Sequence, residues 1–395
     1  MPEPRVVTSG NLATPQRVLS LWDGAVERYR LFMLNAQAPL PCRDGVIYET
    51  PFIGPGMRHG GAALDYLPMR LSLVPRLFSR FRPPDVVLVH TSSVHAGKVS
   101  LGIEVNILVE AIEQTRARGG LVVAQLNSHM PYTLGDSEID TDMIDLGIEV
   151  DEELSSPARG PSSQVAAAIG AHVAELVEDG ATLQLGIGTI PDAVLAALTG
   201  RRGLSVWSEM ISDGILLLEQ QGAMDRARPI VASFMFGSPE LYRWVDRNPR
   251  VRMTRTETTN DPAMIAQQPA MTAINAALQV DLFAQANANQ VGGRIYSGFG
   301  GQTDFTVGAL HSPGGHALIA LPSWHEKSDS STIVATIPGP VTSFQHSALV
   351  TEHGCASIFG RSQRAQARLI IEHIAHPDAR EGLRAAATTL GLRPA

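Results

Sequence analysis

Short unbroken apolar runs alternate along this chain with longer stretches in which apolar residues recur every three or four positions. Asp85-Val86-Val87-Leu88-Val89-His90 is one such run and predicts a buried strand. Val105 to Arg118 carries helical spacing, and Gly120-Leu121-Val122-Val123-Ala124-Gln125 reads as the next strand. Strand, helix and strand at this spacing predict a parallel βαβ unit. The theme recurs in the second half. Gln164 to Glu178 reads as a helix stopped at Asp179-Gly180, and Thr182-Leu183-Gln184-Leu185 as a strand. A helix over Asp192 to Leu198 follows, with Pro191 in its first turn, where the missing N–H costs nothing. Ile230 to Phe234 and Ala317 to Leu321 read as further strands. Between the halves, Leu154 to Ser163 is rich in Pro, Gly and Ser and predicts a linker or long surface loop. The expectation is an α/β chain of two linked, parallel-rich domains, residues 1–158 and 159–395. There is no short-period repeat, and the recurring theme leaves room for two distant structural copies.

Composition narrows the classes. Of 395 residues, 44% are hydrophobic and 18% charged, which is globular and ample for a core. Aromatics are only 5%, so small aliphatic side chains fill much of the interior. A formal net charge of −8 argues against a nucleic-acid surface, yet a local basic pocket or a helix N-terminus would still hold a phosphate. The two cysteines, Cys42 and Cys355, form no Cys-x-x-Cys pair, so neither zinc nor a redox dithiol is expected, in keeping with a reducing cytoplasm. The segment Met1 to Arg5 has no apolar signal core, and no stretch approaches the roughly 20 apolar residues that span a bilayer. A soluble cytoplasmic protein is expected, without membrane or nucleic-acid partners.

Three places bear chemistry. Gly186-Ile187-Gly188 lies between a strand and a helix, either as a loop whose N–H groups approach an anion or as a tight turn. It lacks the third glycine of a dinucleotide fingerprint and the Gly-Lys-Ser/Thr of a Walker loop. Ser297-Gly298-Phe299-Gly300-Gly301-Gln302-Thr303-Asp304-Phe305 is a second glycine cluster. Its backbone donors suit an oxyanion formed during acyl transfer, and its strand-like and acidic flanks argue against a plain flexible loop. Glu209 follows the apolar Leu204-Ser205-Val206-Trp207; taken by itself it reads as a surface glutamate at a strand–loop junction. No Gly-x-Ser-x-Gly elbow and no His-Glu-x-x-His helix occurs, and the scattered histidines read as structural, so no metal site is expected.

In order and spacing these segments resemble the acetyl-CoA hydrolase/transferase family, which includes 4-hydroxybutyrate, butyrate and succinate:acetate CoA-transferases. The resemblance runs along nearly the whole chain. It includes Gly97-Lys98-Val99-Ser100-Leu101-Gly102, Leu185 to Val194, Ser208-Glu209-Met210-Ile211-Ser212-Asp213-Gly214, Asn260-Asp261-Pro262, Ser297 to Phe305 and Val350-Thr351-Glu352-His353-Gly354. Ser128 to Thr133 and Ser323 to Ser328 depart from the family's usual wording. The resemblance implies two α/β domains of CoA-transferase type with the active site between them. It implies that Glu209 becomes covalently linked to coenzyme A, that the Gly301 N–H serves an oxyanion hole, and that Asn260 stands near the glutamate. It further implies that Gly186, Ile187, Gly188, Thr189, Ile190, Leu278, Gly300 and Gly301 contact coenzyme A. The implied partners are acyl-CoA and small carboxylates, with coenzyme A as substrate, no permanently bound cofactor, and a homo-oligomer (dimer or tetramer). An acyl-CoA hydrolase using the same glutamate is the runner-up, followed by a non-catalytic CoA-binding relative.

Overall fold

The computed structural model describes residues 3–58, 62–157, 163–339, 341 and 345–392. Its frame is two sheets. The first holds β1 (Arg5–Thr8), β2 (Tyr29–Phe32), β3 (Val46–Thr50), β4 (Ala63–Tyr66), β5 (Val86–Ser92), β6 (Leu121–Asn127) and β7 (Leu146–Val150). Their order across the sheet is β4-β3-β2-β1-β5-β6-β7, with every pair parallel. The second holds β8 (Thr182–Leu185), β9 (Ser205–Trp207), β10 (Ile230–Ala232), β11 (Val251–Met253), β12 (Met271–Ala276), β13 (His316–Ala320), β14 (Ala348–Thr351) and β15 (Gly354–Ser357). Their order is β11-β10-β9-β8-β12-β13-β14-β15, parallel except for the final β14–β15 hairpin. Numbered from its own first strand, each sheet therefore reads 4-3-2-1-5-6-7. The two halves are topological copies, the second extended by one antiparallel edge strand.

The apolar runs became the central strands. Every residue of β5 and of β8 is buried, as expected for strands covered on both faces. The helix between β5 and β6, α1 (Leu108–Ala117), lays Leu108, Val109, Ala111, Ile112 and Thr115 into the core. It starts three residues later than its periodicity predicts, because residues 103–106 are recruited elsewhere. The Met235 N–H donates to the Ile103 carbonyl at 2.8 Å, and the Val105 and Asn106 N–H groups donate to the Ser233 carbonyl at 2.9 and 3.2 Å. The same seam ends the run Ile230 to Phe234 after Ala232 and restarts it as a separate short strand at Phe234.

In the second half, α2 (Gln164–Glu175) begins at Ser163, whose side chain accepts the Ala166 N–H as an N-cap. α3 (Thr189–Ala197) begins three residues earlier than expected, directly after Gly188, which stands at φ 124°. Few residues other than glycine adopt that conformation, so the turn from β8 into α3 depends on it. Pro191 does lie in the first turn. One buried cluster runs from Val7, Val87 and Leu108 of the first half to Leu183, Val206 and Ile274 of the second, so the halves share a core. Residues 158–162, in the middle of the expected linker and at the expected domain boundary, lie outside the described residues. Among the described residues no helix is long and apolar enough to cross a membrane.

Candidate active site

Each sheet reverses strand order beside its first strand, at β1/β5 and at β8/β12. In open α/β sheets such points leave a crevice beyond the strands' carboxyl ends. Here the two crevices meet. A cavity of about 260 Å³ is lined by Asn11 just beyond β1, by Leu34 and Asn35 beyond β2, and by Phe52 beyond β3. From the second half it takes Leu185, Gly186 and Ile187 at the end of β8, Glu209 beyond β9, and Asn275 and Ala276 at the end of β12.

Glu209 is half-buried and opens on this cavity. Its backbone is fixed: the Ser233 and Phe234 N–H groups donate to its carbonyl at 2.9 and 3.0 Å. Its carboxyl accepts the Asn260 Nδ2–H at 3.1 Å on Oε2. Asn260 is itself fully buried at the end of α4 (Thr256–Thr259), and its Oδ1 has no partner among the described residues. Burial pushes the Glu209 carboxyl up to about 7; the Asn260 bond opposes this and the nearby Asp304 charge adds to it. Solvent in the cavity offsets part of that desolvation.

Gly301 caps α5 (Gln302–His311), so the first N–H groups of that helix have no intrahelical acceptor. A Cβ built at Gly301 would stand 2.0 Å from Glu209 Oε2 and 2.4 Å from Asn260 Nδ2. Only a residue without a side chain lets this helix start approach the carboxyl. The loop before it is held from the first half: the Ile53 N–H donates to the Ser297 carbonyl at 3.0 Å, and the Leu71 N–H to the Gly300 carbonyl at 3.0 Å. Asp304 completes the clamp. Buried in α5, it accepts the Ser72 N–H at 3.1 Å and the Ser72 hydroxyl at 2.8 Å, and pairs with Arg70 at 3.4 Å. Burial pushes its carboxyl up to about 6.

This geometry combines a carboxyl, an amide donor and a helix start around one accessible oxygen pair, and relatives of the chain are found among CoA-handling enzymes. Residues 237–387 match the acetyl-CoA hydrolase/transferase C-terminal domain. A succinyl-CoA:acetate/propanoyl-CoA:succinate CoA transferase of Fasciola hepatica is 36% identical, over 97% of this chain and 84% of its own length. The chain belongs to the acetyl-CoA hydrolase/transferase family. A 4-hydroxybutyrate coenzyme A transferase of Clostridium kluyveri is 40% identical, over 81% of this chain and 76% of its own. The crystal structure of RipA from Yersinia pestis superposes with a TM-score of 0.92 at 28% identity, covering 98% of this chain and 94% of that one. Like these relatives, this member of the acetyl-CoA hydrolase/transferase family is an enzyme of CoA transfer or thioester hydrolysis.

Of the residues singled out from sequence, Glu209, Asn260 and Gly301 meet at one point, and Gly186, Ile187 and Gly300 line the same cavity. Gly188 and Thr189 line an adjoining groove that shares Ile187 with it. Ile190 packs against the core, and Leu278, 36% exposed, lines neither space. Glu209 is not the surface glutamate that its local sequence suggests. Sequence reasoning missed the whole first-half wall: Asn11, Asn35, Phe52 and Asn106. Its signal was available in principle, since Asn11 and Asn35 each lie three residues beyond a parallel strand, but only the strand order makes those positions neighbours. No group of His, Cys, Asp and Glu among the described residues is placed to hold a metal ion.

Proposed function

We propose that this enzyme moves coenzyme A between a short or medium acyl-CoA and a carboxylate through a thioester on Glu209. The observation that carries the proposal is the meeting of Glu209 Oε2 with the Asn260 amide and the side-chain-free start of α5 at Gly301. The ionised carboxyl attacks the acyl-CoA carbonyl, giving an acyl–glutamyl anhydride and coenzyme A thiolate. The thiolate attacks the glutamyl carbonyl, giving the glutamyl-CoA thioester and releasing the first acid. A second carboxylate enters and the steps reverse. The covalent route avoids direct attack of a thiolate on a carboxylate. Each step passes through a tetrahedral oxyanion, which the Gly301 N–H at the helix start would stabilise. The Gly186–Ile190 turn, with Gly188 at positive φ, would hold coenzyme A. The enzyme would act in the cytoplasm as a homo-oligomer, and sedimentation of the purified chain tests its assembly.

Incubation with acyl-CoA followed by borohydride reduction should modify Glu209, located by mass spectrometry of peptides. Modification elsewhere, or none with a substrate that turns over, sinks the mechanism. Thiol release from acetyl-CoA with and without added carboxylates separates transfer from hydrolysis. Transfer to an acid should exceed free thiol release by a large factor; thiol release indifferent to every acid would favour the hydrolase.

The pH profile offers a third test. Attack needs the ionised carboxyl, and Glu209 titrates at about 7, so kcat/KM should rise with pH and level off above that value. Asn260→Ala removes a donor to the charged form, so its limb should move to higher pH. The same change should cost about 10- to 100-fold in kcat/KM, the scale of one hydrogen bond to a charged group. Asp304→Asn removes a neighbouring negative charge and should move the limb to lower pH. Limbs unmoved in both variants would show that another group controls the rate.

A further inference from the structure

We propose that Glu104 of the first half is a positioning residue: from the seam between the halves it holds Glu209 and Asn260 in register with each other. The inference rests on Glu209 as the reacting carboxyl and concerns what keeps its amide donor in place.

The seam is backbone pairing. The Ile103 carbonyl accepts the Met235 N–H at 2.8 Å, and the Ser233 carbonyl accepts the Val105 and Asn106 N–H groups at 2.9 and 3.2 Å. Glu104 stands between them, opposite Phe234. Both members of the reacting pair are tied to this segment. On one side, Ser233 and Phe234 donate their N–H groups to the Glu209 carbonyl. On the other, the Asn106 carbonyl accepts the Thr256 N–H at 3.0 Å, and the Thr256 carbonyl accepts the Asn260 N–H at 2.9 Å. The Asn260–Glu209 bond of 3.1 Å closes the ring. A displacement of residues 104–106 therefore reaches the carboxyl by one route and its amide donor by the other.

The Glu104 side chain fixes that segment. It is 2% exposed, and its Oε1 accepts the Asn106 Nδ2–H at 2.9 Å, the Asn11 Nδ2–H at 3.0 Å and the Gly10 N–H at 3.2 Å. The first bond closes onto the seam itself. The other two tie the seam to the loop that follows β1. One oxygen at the end of a glutamate side chain reaches all three donors. The other oxygen, Oε2, has no partner among the described residues. A buried carboxyl oxygen left unpaired costs stability, so packing alone does not account for an acid at this place.

Three variants separate reach from charge. Glu104→Leu removes the acceptor and the charge. Glu104→Asp keeps the charge but falls one methylene short of the donors. Glu104→Gln drops the charge and keeps an oxygen at full reach. In Glu104→Leu and Glu104→Asp, kcat should fall about 10- to 100-fold while KM for acyl-CoA changes by less than about threefold, the scale of a small misplacement at the reacting group. Glu104→Gln should keep kcat within about fivefold, since a neutral acceptor replaces a charged one. The Asn260 bond favours the ionised Glu209 carboxyl, so loosening it should move the Glu209 titration to higher pH in Glu104→Leu and Glu104→Asp, and not in Glu104→Gln. Infrared titration of the carboxyl band reads this without turnover. Burial pushes Glu104 itself up to about 7, so the Glu209 band is assigned by its loss in Glu209→Gln. The other charge acting on Glu209, that of Asp304, is the same in every variant. Combined with Asn260→Ala, Glu104→Asp should move the titration no further, because the bond through which it acts is already gone. A merely structural Glu104 would lower Tm and the yield of active enzyme and leave the Glu209 titration where it is. Should Glu104→Leu fail to fold, the comparison of Glu104→Asp with Glu104→Gln decides alone. A titration unmoved by Glu104→Asp, or Glu104→Asp keeping the activity that Glu104→Gln loses, overturns the positioning role. A thioester formed on Glu209 with an unmoved titration removes that role alone. A moved titration with no thioester on the unmodified enzyme removes the transferase mechanism and leaves the positioning of the pair standing.

Discussion

Glu209→Gln should lower turnover by at least about 10⁴-fold while making the protein more stable at alkaline pH. The rate loss follows from the proposed role of Glu209 as covalent nucleophile, since removing such a group in other enzymes costs about 10⁴- to 10⁶-fold. Glutamine has nearly the same shape and its carbonyl oxygen still accepts the Asn260 amide, so the site should stay assembled. The stability gain follows from linkage. The Glu209 pKa is raised in the folded state, from about 4.5 to about 7, so the folded protein holds the proton more tightly than the unfolded chain. Stability from that proton is fully present below pH 4.5 and lost as pH rises through 7. Above pH 7 the ionised carboxyl is held in the fold at a cost of at most about 3 kcal/mol, less whatever cavity solvent screens. Glutamine has no such cost. Thermal melts at pH 8 should therefore show a higher Tm for Glu209→Gln, and the difference should shrink by pH 5. A variant that loses activity and also melts lower at pH 8 would mark Glu209 as structural.

The same residue shows where sequence reading stops. Strands β5 and β8 were legible because burial on both faces leaves an unbroken apolar run, and the helices between strands were legible from their period. Boundaries failed where long-range contacts set them. α1 starts late because residues 103–106 pair with Ser233 and Met235, far away in the chain. α3 starts early because Gly188 accepts a backbone conformation that hydropathy does not register. Glu209 looked exposed because its neighbours in sequence say nothing of Asn260 or Gly301, which enclose it only after β11 and α5 are in place. The family resemblance supplied those partners; periodicity could not. Neither supplied Asn11, Asn35 and Asn106, which look like ordinary loop polarity until the 4-3-2-1-5 order sets the ends of β1 and β2 against the second sheet.

Gly301→Ala should cost about 10²- to 10³-fold in kcat, with far less effect on folding than on chemistry. Gly301 has φ −92° and ψ −4°, which alanine adopts without strain, so the backbone imposes no need for glycine. The need is spatial. The new methyl would start 2.0 Å from Glu209 Oε2 and 2.4 Å from the Asn260 amide nitrogen, and real contacts of that kind lie beyond 3.0 Å. The α5 start cannot easily retreat: Leu71 holds the Gly300 carbonyl, and Ser72 and Arg70 hold Asp304 one turn further on. The carboxyl must therefore give way by about 1 Å, a displacement that can by itself cost about 10²-fold. In the proposed mechanism the same shift breaks the alignment of the Gly301 N–H with the oxyanion, and loss of one such donor costs about 10²- to 10³-fold. Overpacking at one site destabilises by about 1–3 kcal/mol, so the protein should remain folded, with the Gly186 turn, the proposed coenzyme A loop, intact. Single-turnover formation of the Glu209 thioester reads the chemical step directly and should slow in parallel with kcat. If Gly301→Ala forms the thioester within about threefold of the normal rate, the close approach of α5 to Glu209 is packing rather than catalysis.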